Sequence, residues 1–506
     1  MNQTVNIHGR LLARNTAFNF IGQTIPALVA IVTIPYIIHG LGVERFGILS
    51  LVWVVLGYFS LFDLGLGRAV TKFSADALGR NQAEKIPSIV WTSLAFQIVL
   101  AGTGGVTLAV ASPFLTRSVF NVPAHLVDET QLTLVLTAIS LVPILCMGSL
   151  RGLLEAAQRF DLINSVKIIF GILAFLLPAI AVFLGYYLPG IVILLSLSTI
   201  GTGAAYLVLC FKVFPKLRHR FSIDPHLITP LLNFGGWVTL SSVIIPVLIY
   251  LDRFMIAGLA SVAVLAYYTA PYEVVSRLQI FPASLASTLF PAYSAIAANH
   301  RKELERIYAL SLKYLLLIMG PITLVLVLFA EGILHLWLGA DFASKSTLIF
   351  QILAVGVFLN ALAQMPANLL DGVGRPDLRA KILFSYSFIY VAFLWFFIVK
   401  LGIVGAALAW TLRAAMELCL FFIAAWRLLK FSPAVFMENG LLRGVIGLLL
   451  LVLLSSAAFF VFGGILVAQS ITAGICLILF ASYVWKYIFD STEQQLLLST
   501  LIRMKR

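Results

Sequence analysis

The stretch IPSIVWTSLAFQIVLAGTGGVTLAVA, residues 86–111, runs for 26 residues without a single Asp, Glu, Lys or Arg. A helix needs about 20 mostly apolar residues to cross the hydrocarbon core of a bilayer. The stretch is unbroken rather than alternating in polarity, which favours a helix over the strand of a membrane barrel. We therefore predict a membrane-spanning helix here.

Thirteen further stretches share this length and apolar character, so we predict an all-α integral membrane protein with about fourteen transmembrane helices. The predicted helices are 11–38, 46–66, 86–111, 132–150, 163–184, 189–211, 231–259, 262–296, 314–338, 348–370, 382–399, 402–429, 441–462 and 465–489.

The composition of the whole chain supports this fold class. Of 506 residues, 61% are hydrophobic and only 11% are charged, whereas about a quarter of a soluble chain is charged. A soluble protein still needs a wet surface, so the deficit excludes an ordinary globular fold. The four cysteines lie inside apolar runs without C-x-x-C spacing, which predicts buried apolar side chains rather than disulfides or a zinc site.

The basic residues predict the orientation of the chain. If the fourteen helices alternate in direction, only five of the 34 Lys and Arg residues fall on the side opposite the N-terminus. Two more lie within helices, and the other 27 share the side of the N-terminus. Because Lys and Arg accumulate on the cytoplasmic side, we predict a multi-pass protein of the inner (cytoplasmic) membrane with both termini in the cytoplasm. The net charge of +13 then reflects orientation, and no nucleic-acid partner is expected.

The chain also repeats itself. The segment LLEAAQRFDL at 153–162 matches LLDGVGRPDL at 369–378, with an acid, an Arg and an Asp in register. Six helices separate the two copies, and an even number makes the copies parallel. We predict an N-terminal lobe of six helices (1–217), a second lobe of six (222–430), and two appended helices with a cytoplasmic tail (441–506).

Charged residues inside predicted helices are the first candidates for function, since each costs about 2.5–3.5 kcal/mol at the bilayer centre. Glu273 and Arg277 are four residues apart, as are Arg413 and Glu417, and this spacing lets each pair neutralise itself on one helix face. Two interpretations of these pairs remain: each is either a structural pair that neutralises itself or part of the wall of a cavity. Arg253 lies beside an aspartate near the end of its predicted helix.

Two polar stripes and one charged cluster complete the candidate set. Rows at i, i+4 and i+8 place polar side chains on one helix face, which interhelical hydrogen bonds or a hydrated cavity would explain. The stripes are Asn15, Asn19 and Gln23 in the first helix and Asn360, Gln364 and Asn368 in the tenth. Asp63 lies at the end of the second predicted helix, and Arg68 and Lys72 follow it. This cluster predicts either a charged cytoplasmic rim or an inner gate for an anionic headgroup.

Enzymatic motifs are missing from the sequence. There is no G-x-x-x-x-G-K-[ST] loop for nucleotide phosphates and no H-E-x-x-H metal motif. The loops between predicted helices are too short to build a site for a sugar donor. We therefore expect neither catalysis nor a metal ion or other cofactor.

Two segments resemble a known family. GLGVERFGILSLVWVVLGYFSLFDLGLGRAV (40–70) and YLDRFMIAGLASVAVLAYYTAPYEV (250–274) look like the polysaccharide transporter family of the multidrug/oligosaccharidyl-lipid/polysaccharide (MOP) exporter superfamily. The resemblance implies a Wzx-type flippase for undecaprenyl-diphosphate-linked oligosaccharide repeat units of O-antigen, capsule or exopolysaccharide. It also implies alternating access between the lobes, a coupling ion (H+ or Na+), contact with membrane lipids and a place beside the glycan-assembly machinery.

On this interpretation, Asn and Gln side chains would bind sugar hydroxyls, and cations would bind the diphosphate. The candidate cations are Arg14, Arg253, Arg277 and Arg413. Three alternatives remain: a peptidoglycan lipid-precursor flippase, a multidrug antiporter, and a membrane-bound glycan polymerase or ligase. An antiporter for cations would favour an excess of carboxylates in the cavity, whereas Glu273, Arg277, Arg413 and Glu417 are balanced in charge.

The predicted topology is tested by reporter fusions along the chain. Fusions at Arg218, Arg301 and Arg375 are expected to report the cytoplasm, and fusions at Thr116 and Lys345 the opposite side. A single reproducible inversion would contradict the count of fourteen spans.

Overall fold

A computed structural model of the chain describes residues 9–61, 64–233, 236–296, 301–462, 466–491 and 493–495. Side chains are described in these ranges except at 9–23, 61, 233, 236–246, 287–288, 290–292, 294–296 and 466. All regular structure within these ranges is helical, as expected of a chain whose apolar runs must satisfy their own backbone hydrogen bonds in lipid.

Among the described residues, eleven α-helices precede residue 260. They are α1 (Gly9–Leu41), α2 (Val43–Leu61), α3 (Leu66–Gly79), α4 (Ile86–Phe114), α5 (Val127–Ile139), α6 (Leu141–Ala156), α7 (Phe160–Phe183), α8 (Leu188–Val213), α9 (Lys216–His219), α10 (Ile228–Asn233) and α11 (Gly236–Leu259).

Nine helices follow. They are α12 (Val262–Ser276), α13 (Ile280–Ile296), α14 (Arg301–Leu328), α15 (Ala330–Leu338), α16 (Ala340–Gly372), α17 (Pro376–Leu429), α18 (Pro433–Glu438), α19 (Leu441–Val461) and α20 (Leu466–Tyr483).

The prediction of a multi-helix membrane protein is confirmed. In the described part of the chain, eleven helical stretches are long and apolar enough to cross a membrane. One of these, α17, contains two predicted spans, because Gly402 breaks it with a left-handed φ of 60° that glycine adopts readily. The two remaining predicted spans coincide with α10–α11 and α12–α13.

The predicted single helix 262–296 is interrupted, which corrects the sequence prediction. Helix α12 ends at Ser276, a 3-10 turn occupies Arg277–Gln279, and α13 begins at Ile280. Pro282 explains the break, because a continuous helix would need its missing N–H to bond the carbonyl of Leu278. Charged and polar side chains thus occur at a helix break within a predicted span, a feature that marks binding sites in many transporters.

The segment after α2 forms an amphipathic helix of its own, α3. Leu66, Ala69 and Val70 are buried, whereas Arg68 and Lys72 are exposed. The two predicted gate cations therefore lie on the outward face of α3. Asp63, the third member of that cluster, lies outside the described residues.

The repeated motif has the same local geometry in both copies. Arg159 donates from Nε and Nη2 to both carboxylate oxygens of Asp161, at 3.0 and 2.9 Å. Arg375 does the same to Asp377, at 2.9 and 3.1 Å. These hydrogen bonds raise the pKa of both arginines. The matching geometry supports an internal duplication, while the superposition of lobes 1–217 and 222–430 stays a prediction.

The helices pack into two compact units. The first contains the described residues up to Arg277 together with Ala380–Ala409, and the second contains Leu278–Arg379 with the described residues from Trp410 on. In the first unit, α2 packs against α11 and α12, and Phe46, Ile48 and Leu49 of α2 are fully buried.

Gly47 is what allows α2 to approach α12 so closely. A Cβ at this position would overlap the carbonyl oxygen of Val262, so no side chain fits there without moving a backbone.

We expect Gly47→Ala to destabilise the protein by about 1–3 kcal/mol, because the added methyl overpacks this contact. The measurement is thermal unfolding of the purified protein. Gly102→Ala is the matched control, since a Cβ there meets nothing within 4 Å. Equal melting temperatures for the two variants would contradict the close α2–α12 contact.

Candidate functional site

The first unit holds a fully buried ion pair on α11. Asp252 Oδ1 accepts hydrogen bonds from Arg253 Nη1 at 3.1 Å and from the Arg253 backbone N–H at 2.9 Å. Its Oδ2 accepts the hydroxyl of Tyr268, on α12, at 2.5 Å. Asp252 is 0% exposed and Arg253 is 3% exposed, so the charge of each is balanced inside the protein.

Aromatic rings complete the surroundings of Arg253. Its guanidinium carbon lies 4.2 Å from the ring centroid of Tyr272 and 5.5 Å from that of Tyr250. The face of an aromatic ring attracts a cation, and more strongly where water is excluded. Arg253 also donates to the carbonyl of Ile249 at 2.6 Å. The arginine predicted as a cavity cation is thus held between α11 and α12, with its Nη1 shared between Asp252 and the carbonyl of Ile249.

A second ion pair, in the same unit, is partly open. Arg277 Nη2 lies 2.7 Å from Glu273 Oε2, and their side chains are 29% and 23% exposed. The guanidinium also stacks over Phe175 of α7 at 5.4 Å. Its Nε is buried and has no hydrogen-bond acceptor in the described part of the chain. The predicted i, i+4 pair forms, and it leaves one donor unsatisfied.

The second unit contains a chain of hydrogen bonds through amide side chains, which we call the amide relay. Arg413 Nη1 donates to Glu417 Oε1 at 2.9 Å, and Asn360 Nδ2 donates to Glu417 Oε2 at 2.8 Å. Gln279 Nε2 donates to Asn360 Oδ1 at 3.1 Å, and Gln364 Nε2 donates to Gln279 Oε1. The relay therefore joins α16 and α17 to the 3-10 turn that precedes α13.

The two ion pairs that were predicted from spacing differ in exposure. Arg413 and Glu417 are only 6% and 8% exposed, and the guanidinium lies 5.2 Å from the ring of Trp410. The side chains of Arg277 and Glu273 are more exposed, at 29% and 23%. A buried pair held by a relay suits positioning, whereas a half-open pair suits contact with a ligand.

Several sequence predictions thus come together, and one residue was missed. Asn360, Gln364, Arg413 and Glu417 share the amide relay, whereas Asn368 is half-buried outside it. Gln279 was not predicted, although a glutamine two residues after an in-span arginine is itself a polar signal. It is the residue that connects the amides of α16 to each other.

The remaining candidates lie where their side chains are not described. Helix α1 includes Arg14, Asn15, Asn19 and Gln23, but their side chains are outside the described set. Within the described residues, no group of three His, Cys, Asp or Glu side chains is placed to hold a metal ion.

We expect Tyr268→Phe to destabilise the protein by about 1–3 kcal/mol, because it leaves Asp252 Oδ2 buried without its hydroxyl donor. Asp252→Leu should cost more, about 3–5 kcal/mol, since it leaves the Arg253 charge without a counter-charge. Thermal unfolding of the purified variants measures both effects. Tyr186→Phe, at a 54% exposed tyrosine, is the control, and equal melting of the two Tyr→Phe variants would contradict the buried network.

Comparison with known proteins shows which family the chain belongs to. Residues 12–297 match the family model described as Polysaccharide biosynthesis protein. The chain is 29% identical over 419 residues to the protein named Putative O-antigen transporter of Shigella flexneri, covering 80% of this chain and 96% of that one. It is 23% identical to an uncharacterised membrane protein of Methanocaldococcus jannaschii, covering 71% and 73%.

The fold has solved counterparts. A multidrug resistance MATE family transporter of the MOP superfamily, solved in an inward-facing conformation, superposes with a TM-score of 0.69 at 15% identity. The match covers 81% of this chain and 98% of that one. At this identity the likeness concerns the fold alone. Taken with the family match over more than half of its length, it shows that the chain belongs to the polysaccharide biosynthesis protein family, as a multi-pass membrane protein with the MOP transporter fold.

Proposed function

We propose that this protein is a flippase that moves undecaprenyl-diphosphate-linked oligosaccharide repeat units across the cytoplasmic membrane by alternating access. The family and the name of the Shigella flexneri relative support a role in polysaccharide transport. That the substrate is linked to a lipid diphosphate is the finer part of the proposal, and it rests on the polar groups within the spans.

The observation that carries the proposal is the half-open pair Glu273–Arg277. A guanidinium within a span is costly unless it is paired or hydrated, and 29% of the Arg277 side chain is exposed beside its one acidic partner. Phosphate oxygens are strong acceptors for arginine. Arg277 is therefore suited to meet a diphosphate, with Glu273 holding the guanidinium in place when no substrate is bound.

The amide relay supplies the groups that a sugar needs. Amide side chains both donate and accept hydrogen bonds, which matches the mixed character of sugar hydroxyls. Asn360 and Gln364 are half-buried and can exchange a relay bond for one to a hydroxyl. The buried Arg413–Glu417 pair fixes one end of the relay by holding the amide of Asn360.

Export of cationic drugs is the alternative that the MATE fold raises. It is disfavoured by charge, because Asp252, Glu273 and Glu417 are each paired with an arginine. A site for organic cations would need carboxylates in excess. The same pairing leaves a peptidoglycan lipid-precursor flippase as the closer alternative, since its substrate also carries a diphosphate. A glycan polymerase or ligase is the more distant alternative, because the relatives and the fold are those of transporters.

The proposal predicts that changing Glu273 and Arg277 together to leucine abolishes glycan export while the protein still folds. Arg277→Ala should lower export by about tenfold or more, because a hydrogen bond to a charged group contributes about 1.5–3 kcal/mol. Arg277→Lys should be milder, since it keeps the charge that a diphosphate requires. The measurement is surface glycan in cells whose only copy of the transporter is the variant, normalised to protein abundance.

The matched control is the pair Arg151–Glu155, also four residues apart and in the same unit, with exposed side chains. Changing both of these to leucine should leave export unchanged. If the Glu273/Arg277 double variant exports glycan at the wild-type level, this pair is structural and the proposed role of Arg277 is wrong.

A further inference from the structure

A cavity of about 500 Å³ lies in the first unit, away from the ion pairs described above. It is bounded by α3, by the first turn of α4 and by the segment that leads into α10. Its volume is within the range of about 300–1,000 Å³ that is usual for small-molecule sites.

The floor of this cavity is apolar and belongs to the hydrophobic core. Ile89 and Leu231 are 6% and 3% exposed, and they pack in one cluster with α3 residues. Phe73 and Leu227 add partly buried apolar surface. A ligand that fits here needs an apolar part.

The rim carries four charged side chains of both signs. Arg80 and Lys85 are exposed cations, and neither has an ion-pair partner in the described part of the chain. Asp76 is likewise an exposed carboxylate, and Asp224 accepts a hydrogen bond from the backbone N–H of His226 at 3.0 Å. A purely anionic ligand would meet two carboxylates, and a purely cationic one would meet two cations.

The position of the cavity along the membrane normal further restricts the class of ligand that it can bind. The spanning stretch Ala83–Val119 starts at the residues that line the cavity. The start of a span lies at the level of the lipid headgroups. Molecules at that depth that have an apolar part and charges of both signs are zwitterionic phospholipids.

We propose that this cavity binds a glycerophospholipid whose headgroup carries a phosphate and a primary amine, as in phosphatidylethanolamine. Arg80 and Lys85 contact the phosphate, since arginine and lysine are the usual phosphate-binding side chains of proteins. Asp76 and Asp224 accept hydrogen bonds from the ammonium group. The beginning of an acyl chain covers the floor formed by Ile89 and its neighbours, so the bound lipid joins α3 to the segment before α10.

The test measures the binding of soluble short-chain lipids to the purified full-length protein, with native mass spectrometry as the method of detection. Dioctanoyl phosphatidylethanolamine is compared with the phosphatidylglycerol and phosphatidylcholine of the same chain length, and with free phosphoethanolamine. We expect the ethanolamine lipid to bind about threefold to fivefold tighter than the other two, as suits exposed ion pairs. Free phosphoethanolamine should bind more weakly, because it has no apolar part.

Substitutions at the rim separate the two charges of the ligand. Arg80→Gln should weaken both the ethanolamine and the glycerol lipid, whereas Asp76→Asn should weaken only the ethanolamine lipid. Arg218→Gln, at an exposed arginine outside the cavity, should change neither. The proposal is overturned if the three lipids bind alike and the variants have no effect, if the glycerol lipid binds tightest, or if free phosphoethanolamine binds as tightly as the lipid.

Discussion

A charged side chain within a membrane span must find its counter-charge inside the protein, and the polar architecture of this chain follows from that constraint. In the pair Asp252–Arg253 each charge has its counter-charge beside it. The second carboxylate oxygen accepts a tyrosine hydroxyl, and aromatic rings lie against the guanidinium. Such a pair contributes little net stability, but removing one partner leaves a bare charge in a medium of low polarity. The contact between α11 and α12 therefore depends on all of its members.

The same constraint divides the other two pairs into different roles. Arg413–Glu417 is almost closed to solvent and tied into the amide relay, so it suits positioning rather than direct contact with a ligand. Glu273–Arg277 is half open, next to a helix break, with one donor left over. Of these two pairs, the second is the one whose guanidinium an incoming anion can reach, because 29% of the Arg277 side chain is exposed.

The sequence predicted the helices well and the contacts between helices poorly, for a physical reason. Hydropathy and chain length determine where a span lies, and Gly402, where α17 is broken, is the first residue of the predicted helix 402–429. Spacing along one helix also predicted Glu273–Arg277 and Arg413–Glu417, since i, i+4 neighbours must meet. The bond from Asn360 to Glu417 joins residues far apart in the chain, and helix periodicity carries no information about which faces meet.

The break at Arg277–Gln279 was missed because hydropathy does not register the effect of a single proline, here Pro282 in the first turn of α13. The independence of α3 was missed for a related reason, since a short amphipathic helix has neither the length nor the apolarity of a span. Both features place charged groups outside regular spanning helix, where they can meet ligands or headgroups. The proposed function depends on the first feature, and the proposed lipid cavity on the second.

The measurement that tests the central claim most directly is translocation by the purified protein in vesicles. A fluorescent undecaprenyl-diphosphate oligosaccharide is placed in both leaflets, and its exposure to a membrane-impermeant quencher is followed over time. The account predicts that the inner pool becomes accessible with the protein present and stays protected in protein-free vesicles. Equal rates with and without the protein, in vesicles where the same preparation moves an organic cation, would contradict it.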